Sequence, residues 1–152
     1  MKSVDKFFPH GIASVLSEGD MHLLGRRLAD FLEPGDVLGL VGELGTGKTC
    51  LVRGILEGLG SPIPASSPTF SLVLEHPAAR IPAAHFDFYR LKSREEALSI
   101  GWEDFLDASP RMILLVEWAD RFDGDLMPPS TTWLTISRSL RSSSARTVQL
   151  KR

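Results

Sequence analysis

Residues 42–49 read Gly42-Glu43-Leu44-Gly45-Thr46-Gly47-Lys48-Thr49 and fit the phosphate-loop pattern G-x-x-x-x-G-K-[ST] at every fixed position. That pattern constrains the fold, because it works only between a strand that delivers the chain to the first glycine and a helix that starts at the lysine. Both flanks are legible. Residues 36–41, Asp-Val-Leu-Gly-Leu-Val, read as a short buried strand, and residues 50–56 read as the first turns of a helix. A glycine-rich turn matching by chance would lack this setting.

The residue types carry the chemistry. Gly42, Gly45 and Gly47 give the backbone dihedrals that side chains would forbid, so successive amide N–H groups can turn inward around phosphate oxygens. The following helix aims its positive end at the same point. Lys48 reaches the β- and γ-phosphates, and Thr49 offers its hydroxyl to a magnesium ion. The expected nucleotide contacts are thus Gly42, Glu43, Leu44, Gly45, Thr46, Gly47, Lys48 and Thr49, with Cys50 as the next residue in the run. The chain contains no asparagine. An Asn-Lys-x-Asp guanine-reading sequence therefore cannot occur, no Thr-Lys-x-Asp variant is present, and ATP is the favoured nucleotide.

At 152 residues the expectation is one domain, residues 1–152, large enough to fold unaided. A net charge of -2 excludes a global basic field for nucleic acid. The single cysteine, Cys50, excludes an internal disulfide framework or a cysteine-rich zinc site and reads as a small packing residue of the helix. No apolar run approaches the ~20 residues needed to cross a bilayer. The first six residues are not followed by an apolar core of signal-peptide length, so a cytosolic location is expected. Residues 11–16 look like an opening strand. Asp20 is the expected cap of a helix carrying Leu23, Leu24, Leu28, Phe31 and Leu32 at helical spacing. A Pro- and Ser-rich loop spans residues 61–68. Residues 69–74 and 83–89 read as an antiparallel strand pair, and residues 93–100 as a short helix opened by a capping box. Residues 112–116 are consecutively apolar, as in a strand covered on both faces; residues 132–137 and 147–150 read as further strands. The expected fold class is α/β: a single-domain P-loop NTPase with a mixed, mainly parallel central sheet, flanking helices and an antiparallel strand pair.

A phosphate loop alone hydrolyses nothing; the metal and the attacking water must be organised by other groups. Glu117 ends the buried strand, where ligands sit in open α/β sheets, and is the expected second metal residue beside Thr49. Its plain alternative is a surface glutamate at a strand end. Asp87 lies in His85-Phe86-Asp87-Phe88-Tyr89-Arg90, where strand alternation puts His85, Asp87 and Tyr89 on one face. That face reads as catalytic or as the wet side of an edge strand. His85 alone reads equally well as a hydrogen-bonded structural histidine. Thr69, in Ser67-Pro68-Thr69-Phe70, reads either as a switch-loop hydroxyl or as a turn entering a strand.

Four blocks in order, the phosphate loop, Ser67-Pro68-Thr69-Phe70, His85-Phe86-Asp87-Phe88-Tyr89-Arg90-Leu91 and Val116-Glu117-Trp118, resemble the bacterial TsaE (YjeE-type) ATPases of tRNA threonylcarbamoyladenosine biosynthesis. The resemblance spans roughly residues 37–118. It implies ATP and magnesium binding and slow ATP hydrolysis in an accessory subunit. It also implies two partner proteins (TsaB- and TsaD-like) that form N6-threonylcarbamoyladenosine at position 37 of tRNA, with tRNA contact indirect and no membrane. By the same resemblance Lys48 and Thr49 contact phosphate and magnesium, Glu117 is a metal or water-organising carboxylate, and Asp87 and Thr69 are catalytic. Residues 17–20 and Arg138 are expected nucleotide neighbours on that ground only. Trp118 belongs to the nucleotide site, to a partner surface or to the core. Residues 138–152 lie outside the match and carry Arg138, Arg141, Arg146, Lys151 and Arg152 without an acid. They read as a contact for tRNA or partners, or as a flexible basic tail. Two other functions stay in view. One is a small-molecule or nucleoside kinase, although Arg90, Arg94 and Arg121 are scattered and no helical lid is legible. The other is a nucleotide-controlled binding module.

Overall fold

The computed structural model describes residues 3–64 and 72–151. Its centre is built from the two strands that the apolar runs foretell. Val37–Val41 forms β2 and Ile113–Glu117 forms β5, and they pair in parallel with Leu40 opposite Glu117. Both are covered on their two faces, which is why neither alternates with polar residues. Ala83–Asp87 (β4) lies parallel on the far side of β5, and Thr132–Arg138 (β6) parallel on the far side of β2.

Antiparallel strands extend both edges. Val73–His76 (β3) pairs with β4, while Arg146–Lys151 (β7) pairs with β6 and then with Ile12–Val15 (β1). The order across the sheet is β1-β7-β6-β2-β5-β4-β3. The expected α/β class with a parallel centre and antiparallel flanks is therefore observed.

Ser3–Phe7 forms a short helix, α1, that buries Val4. Glu18–Leu28 (α2) and Lys48–Gly58 (α3) cover one face of the sheet, in a core containing Met21, Leu28, Leu40, Leu51, Ile55 and Leu115. The other face packs Phe86, Phe88, Leu114 and Val116 against Trp102, which opens the helix Trp102–Ala108 (α5). Before it, Arg94–Ser99 (α4) starts at Ser93, whose hydroxyl accepts from the Glu96 amide.

Several local expectations are corrected. Ser17, not Asp20, caps α2: its hydroxyl accepts from the Asp20 amide, and the Asp20 carboxylate reaches back to accept from the Leu16 amide. The helix turns Met21, Gly25 and Leu28 inward, and Leu23 faces solvent. The strand expected at residues 83–89 stops at Asp87, which caps a 3-10 turn, Phe88–Arg90, by accepting from the Tyr89 amide at 3.1 Å. β3 begins at Val73; residues 69–71 of the expected strand lie outside the described residues. Helix α5 had no sequence expectation. The flexible-tail reading of residues 138–152 fails for residues 146–151, because β7 is hydrogen-bonded on both sides and buries Val148 completely.

Candidate functional site

Three parallel strands end together. β2 runs into the phosphate loop, β5 ends at Glu117 and β4 ends at Asp87, which pairs directly with Glu117. The loop's shape depends on missing side chains. A Cβ on Gly42 would lie 2.6 Å from the Ile136 carbonyl oxygen, while Gly45 and Gly47 take left-handed φ angles of 78° and 107°. Gly47 is also the cap residue of α3 and, having no side chain, makes no side-chain cap bond. The start of α3, Gly47 to Thr49, lines the cleft, where a helix N-terminus suits an anion.

Lys48 Nζ donates to the carbonyls of Gly42 at 2.6 Å and Glu43 at 2.8 Å, so the ammonium is held at the centre of the loop. It also lies 4.2 Å from the centroid of the Trp118 ring, a cation–π contact. Trp118 reaches that position through a left-handed backbone, φ 56°, directly after β5, and its ring tilts against Tyr89 at 4.8 Å. Burial lowers the Lys48 pKa, and the nearby Glu117, Asp87 and Asp120 carboxylates oppose that shift.

Thr49 and Glu117 meet: the threonine hydroxyl donates to Glu117 Oε1 at 2.7 Å. The second carboxylate oxygen, Oε2, lies 2.6 Å from His85 Nε2, and both side chains are buried. The donor set of hydroxyl and carboxylate oxygen suits a hard cation. Among the described residues no group of three or more His, Cys, Asp or Glu could hold a metal ion by itself. Asp87 faces the same space. Burial raises its pKa above the ordinary carboxylate value; the Tyr89 amide opposes this, and the Glu117 charge adds to it.

These groups line a cleft of about 470 Å³, with Glu18, Arg53, Arg90 and Tyr89 at its margins. An adjoining cavity of about 360 Å³ runs from Ser17, Glu18 and Met21 past Cys50 to Ser143, Ser144 and Arg146. Cys50 borders both, its thiol donating to the Glu18 carbonyl at 3.2 Å. Arg138 stands on the other side of the loop, where it donates to Glu43 Oε2 at 3.0 Å and to the Leu44 carbonyl at 2.9 Å. It braces the loop from outside the two cavities. Thr69 lies outside the described residues.

Sequence reasoning thus brought together Lys48, Thr49, Glu117 and Asp87, and left His85 undecided. It missed Arg53 at the cleft margin. Its position on α3, five residues beyond Lys48, was the one available signal. No helix among the described residues is long and apolar enough to cross a membrane.

The sequence model of the family described as "Threonylcarbamoyl adenosine biosynthesis protein TsaE" matches residues 15–148. The tRNA threonylcarbamoyladenosine biosynthesis protein TsaE of Rickettsia conorii is 37% identical over 114 residues, covering 74% of this chain and 63% of its own length. The protein of the same name from Bacillus subtilis is 35% identical over 116 residues, covering 76% of this chain and 70% of its own. The chain is also similar to the crystal structure of Bacillus subtilis YdiB, with a TM-score of 0.72 and 26% identity, over 91% of this chain and 82% of that one. The match runs from β1 to β7 and takes in every residue of the phosphate loop, Asp87 and Glu117, so the chain belongs to the TsaE family.

Proposed function

We propose that this protein is a magnesium-dependent ATPase acting in the cytoplasm. It would serve as the accessory subunit of the complex, with TsaB- and TsaD-like partners, that forms N6-threonylcarbamoyladenosine at position 37 of tRNA. The observation that carries the reading is the bond between Thr49 and Glu117 at the mouth of the phosphate loop. It joins the helix that holds the phosphates to the strand that supplies a carboxylate, as metal-assisted phosphoryl transfer requires. The names of the relatives supply the pathway.

The division of labour follows from the geometry. The loop amides and Lys48 Nζ neutralise the phosphates; Lys48 exchanges its two carbonyl bonds for phosphate oxygens. Thr49 and Glu117 would hold the metal, which would supply charge neutralisation on the terminal phosphate. Asp87 orients the attacking water and, being buried, is suited to accept its proton. Thr69 remains a candidate for sensing the terminal phosphate. The cavity between Ser17 and Ser144 takes the base and sugar, and Arg138 contributes by keeping the loop in shape. Neither the cleft nor the relatives favour a small-molecule kinase.

The test is phosphate release from ATP by the purified chain, alone and with the two partner proteins and tRNA. Stimulation by the partners is expected, and Glu117→Ala should cut hydrolysis while leaving ATP binding largely intact. Transfer to a small acceptor, or tight binding without release under any condition, would overturn the reading.

A further inference from the structure

His85 and His76 are both fully buried, and each leaves one ring nitrogen, His85 Nδ1 and His76 Nε2, without a partner among the described residues. Buried polar atoms of this kind carry a desolvation cost unless something bonds them. The two histidines are neighbours. In the β3–β4 ladder Leu74 lies opposite His85 and His76 opposite Ala83, so the rings are a diagonal pair on one face of the sheet. That face is the one covered by α3, since Ala83 and Leu115 pack there with Leu51 and Ile55. The other nitrogens are engaged. His85 Nε2 lies 2.6 Å from Glu117 Oε2, and His76 Nδ1 lies 2.6 Å from the hydroxyl of Ser61, just past the end of α3.

We propose that Ser61, His76 and His85 form a hydrogen-bond relay beneath α3 that orients Glu117, closed between His76 Nε2 and His85 Nδ1 through one buried water. One set of donor and acceptor assignments carries a continuous relay to Glu117. A carboxylate accepts, so His85 donates from Nε2 to Glu117, and in the relay its Nδ1 is the acceptor. The bridging water donates to His85 Nδ1 and accepts from His76 Nε2, which leaves His76 Nδ1 as an acceptor for the Ser61 hydroxyl. The Ser61 oxygen in turn accepts from the Ile63 amide at 3.3 Å. Every link points toward Glu117, whose other oxygen accepts from Thr49. Which nitrogen of a histidine carries the proton is set by the bond its other nitrogen makes, and such outer partners orient a ligating group. His76 and Ser61 are positioning residues that act through His85. The inference rests on the ATPase reading only for the use the relay serves, since the relay itself is read from the rings and their partners.

The experiment is a long-range ¹H–¹⁵N ring spectrum of the full labelled chain without nucleotide. Both histidines should be Nε2–H tautomers, each with an Nδ1 shift displaced from the unbonded value by an accepted hydrogen bond. Ser61→Ala should move His76 Nδ1 to the unbonded value. His76→Phe should do the same to His85 Nδ1 and raise the magnesium needed for half-maximal hydrolysis about tenfold, as for other partners of metal ligands. His76→Gln keeps an amide donor and should restore most of both, which covers the case of a phenylalanine variant that does not fold. A proton on Nδ1 of either ring, or a His85 Nδ1 already at the unbonded value in the unaltered chain, overturns the relay. The ring spectra decide this even if the chain releases no phosphate, an outcome that would sink the ATPase reading alone.

Discussion

Glu117 is reached by two side chains from separate parts of the sequence, and the neighbouring Asp87 is held by different partners. Glu117 receives the Thr49 hydroxyl and faces His85, while Asp87 has one backbone amide and a guanidinium, Arg90, at 3.9 Å. Burial therefore dominates at Asp87 and raises its pKa. A carboxyl whose folded pKa lies above its unfolded value resists ionisation in the folded protein. It lowers stability at neutral pH, and the deficit fades as pH falls below the unfolded value of 3.8. Asp87→Asn should raise the Tm of the nucleotide-free protein at pH 7, with the gain shrinking toward pH 4, while hydrolysis falls. Thermal melts across that range check the sign. At Lys48 the expectation is different in kind. Lys48→Ala removes a charge-assisted contact worth about 1.5–3 kcal/mol, so the Kd for ATP should rise on the order of tenfold to a hundredfold, as titration calorimetry would read.

The helix pair that carries the loop shows a requirement of the same sort one scale up. α3 lies close on α2 because Gly25, Gly54 and Gly58 put backbone against backbone, and a Cβ on Gly58 would stand 2.6 Å from the Arg26 carbonyl oxygen. A Cβ on Gly54 would run into the His22 carbonyl oxygen. Alanine is the better helix former by roughly 0.8–1.0 kcal/mol, so an uncrowded Gly54→Ala would stabilise. Here overpacking wins, and a loss of about 1–3 kcal/mol is expected, measurable as a fall in denaturant midpoint at unchanged slope. Elements of this kind were partly legible in the sequence. β2, α3 and β5 were, because an unbroken apolar run and a glycine loop leave few alternatives. Helix α5 was not, since Trp102 and Phe105 bury into an aromatic cluster with Phe86 that only tertiary contact creates. The aromatic and polar alternation through residues 83–89 suggested one continuous strand, but Asp87 bonded its own backbone two residues on and ended it. Glu117 was legible as a carboxylate closing an apolar run. The role of His85 was not, because it depends on the register that sets β4 beside β5.

At the scale of the molecule the nucleotide cleft depends on the far end of the chain. Among the described residues β1 joins the sheet through β7, and β7 itself sits between β1 and β6. The Ser144 hydroxyl donates to the Leu16 carbonyl, so the segment before β7 also holds the turn that opens α2. A basic stretch that looked separable in sequence therefore closes one side of the sheet and borders the cavity beside the phosphate loop through Ser143, Ser144 and Arg146. Ending the chain after Ser139 would remove the buried Ala145 and Val148 and free both β1 and the outer edge of β6. At about 1.5–3 kcal/mol for each fully buried aliphatic side chain the size of valine, plus the lost ladder, the cost is several kcal/mol. That is a large share of a total stability of roughly 5–15 kcal/mol. The shortened chain should be poorly soluble, lose its cooperative thermal transition in circular dichroism and fail to bind ATP, although Lys48, Thr49 and Glu117 are all present. A dispensable tail predicts the opposite, an unchanged melt with affinity intact. The two outcomes separate cleanly, because the exposed edge strands of β1 and β6 would offer unpaired backbone for aggregation only if β7 had been covering them.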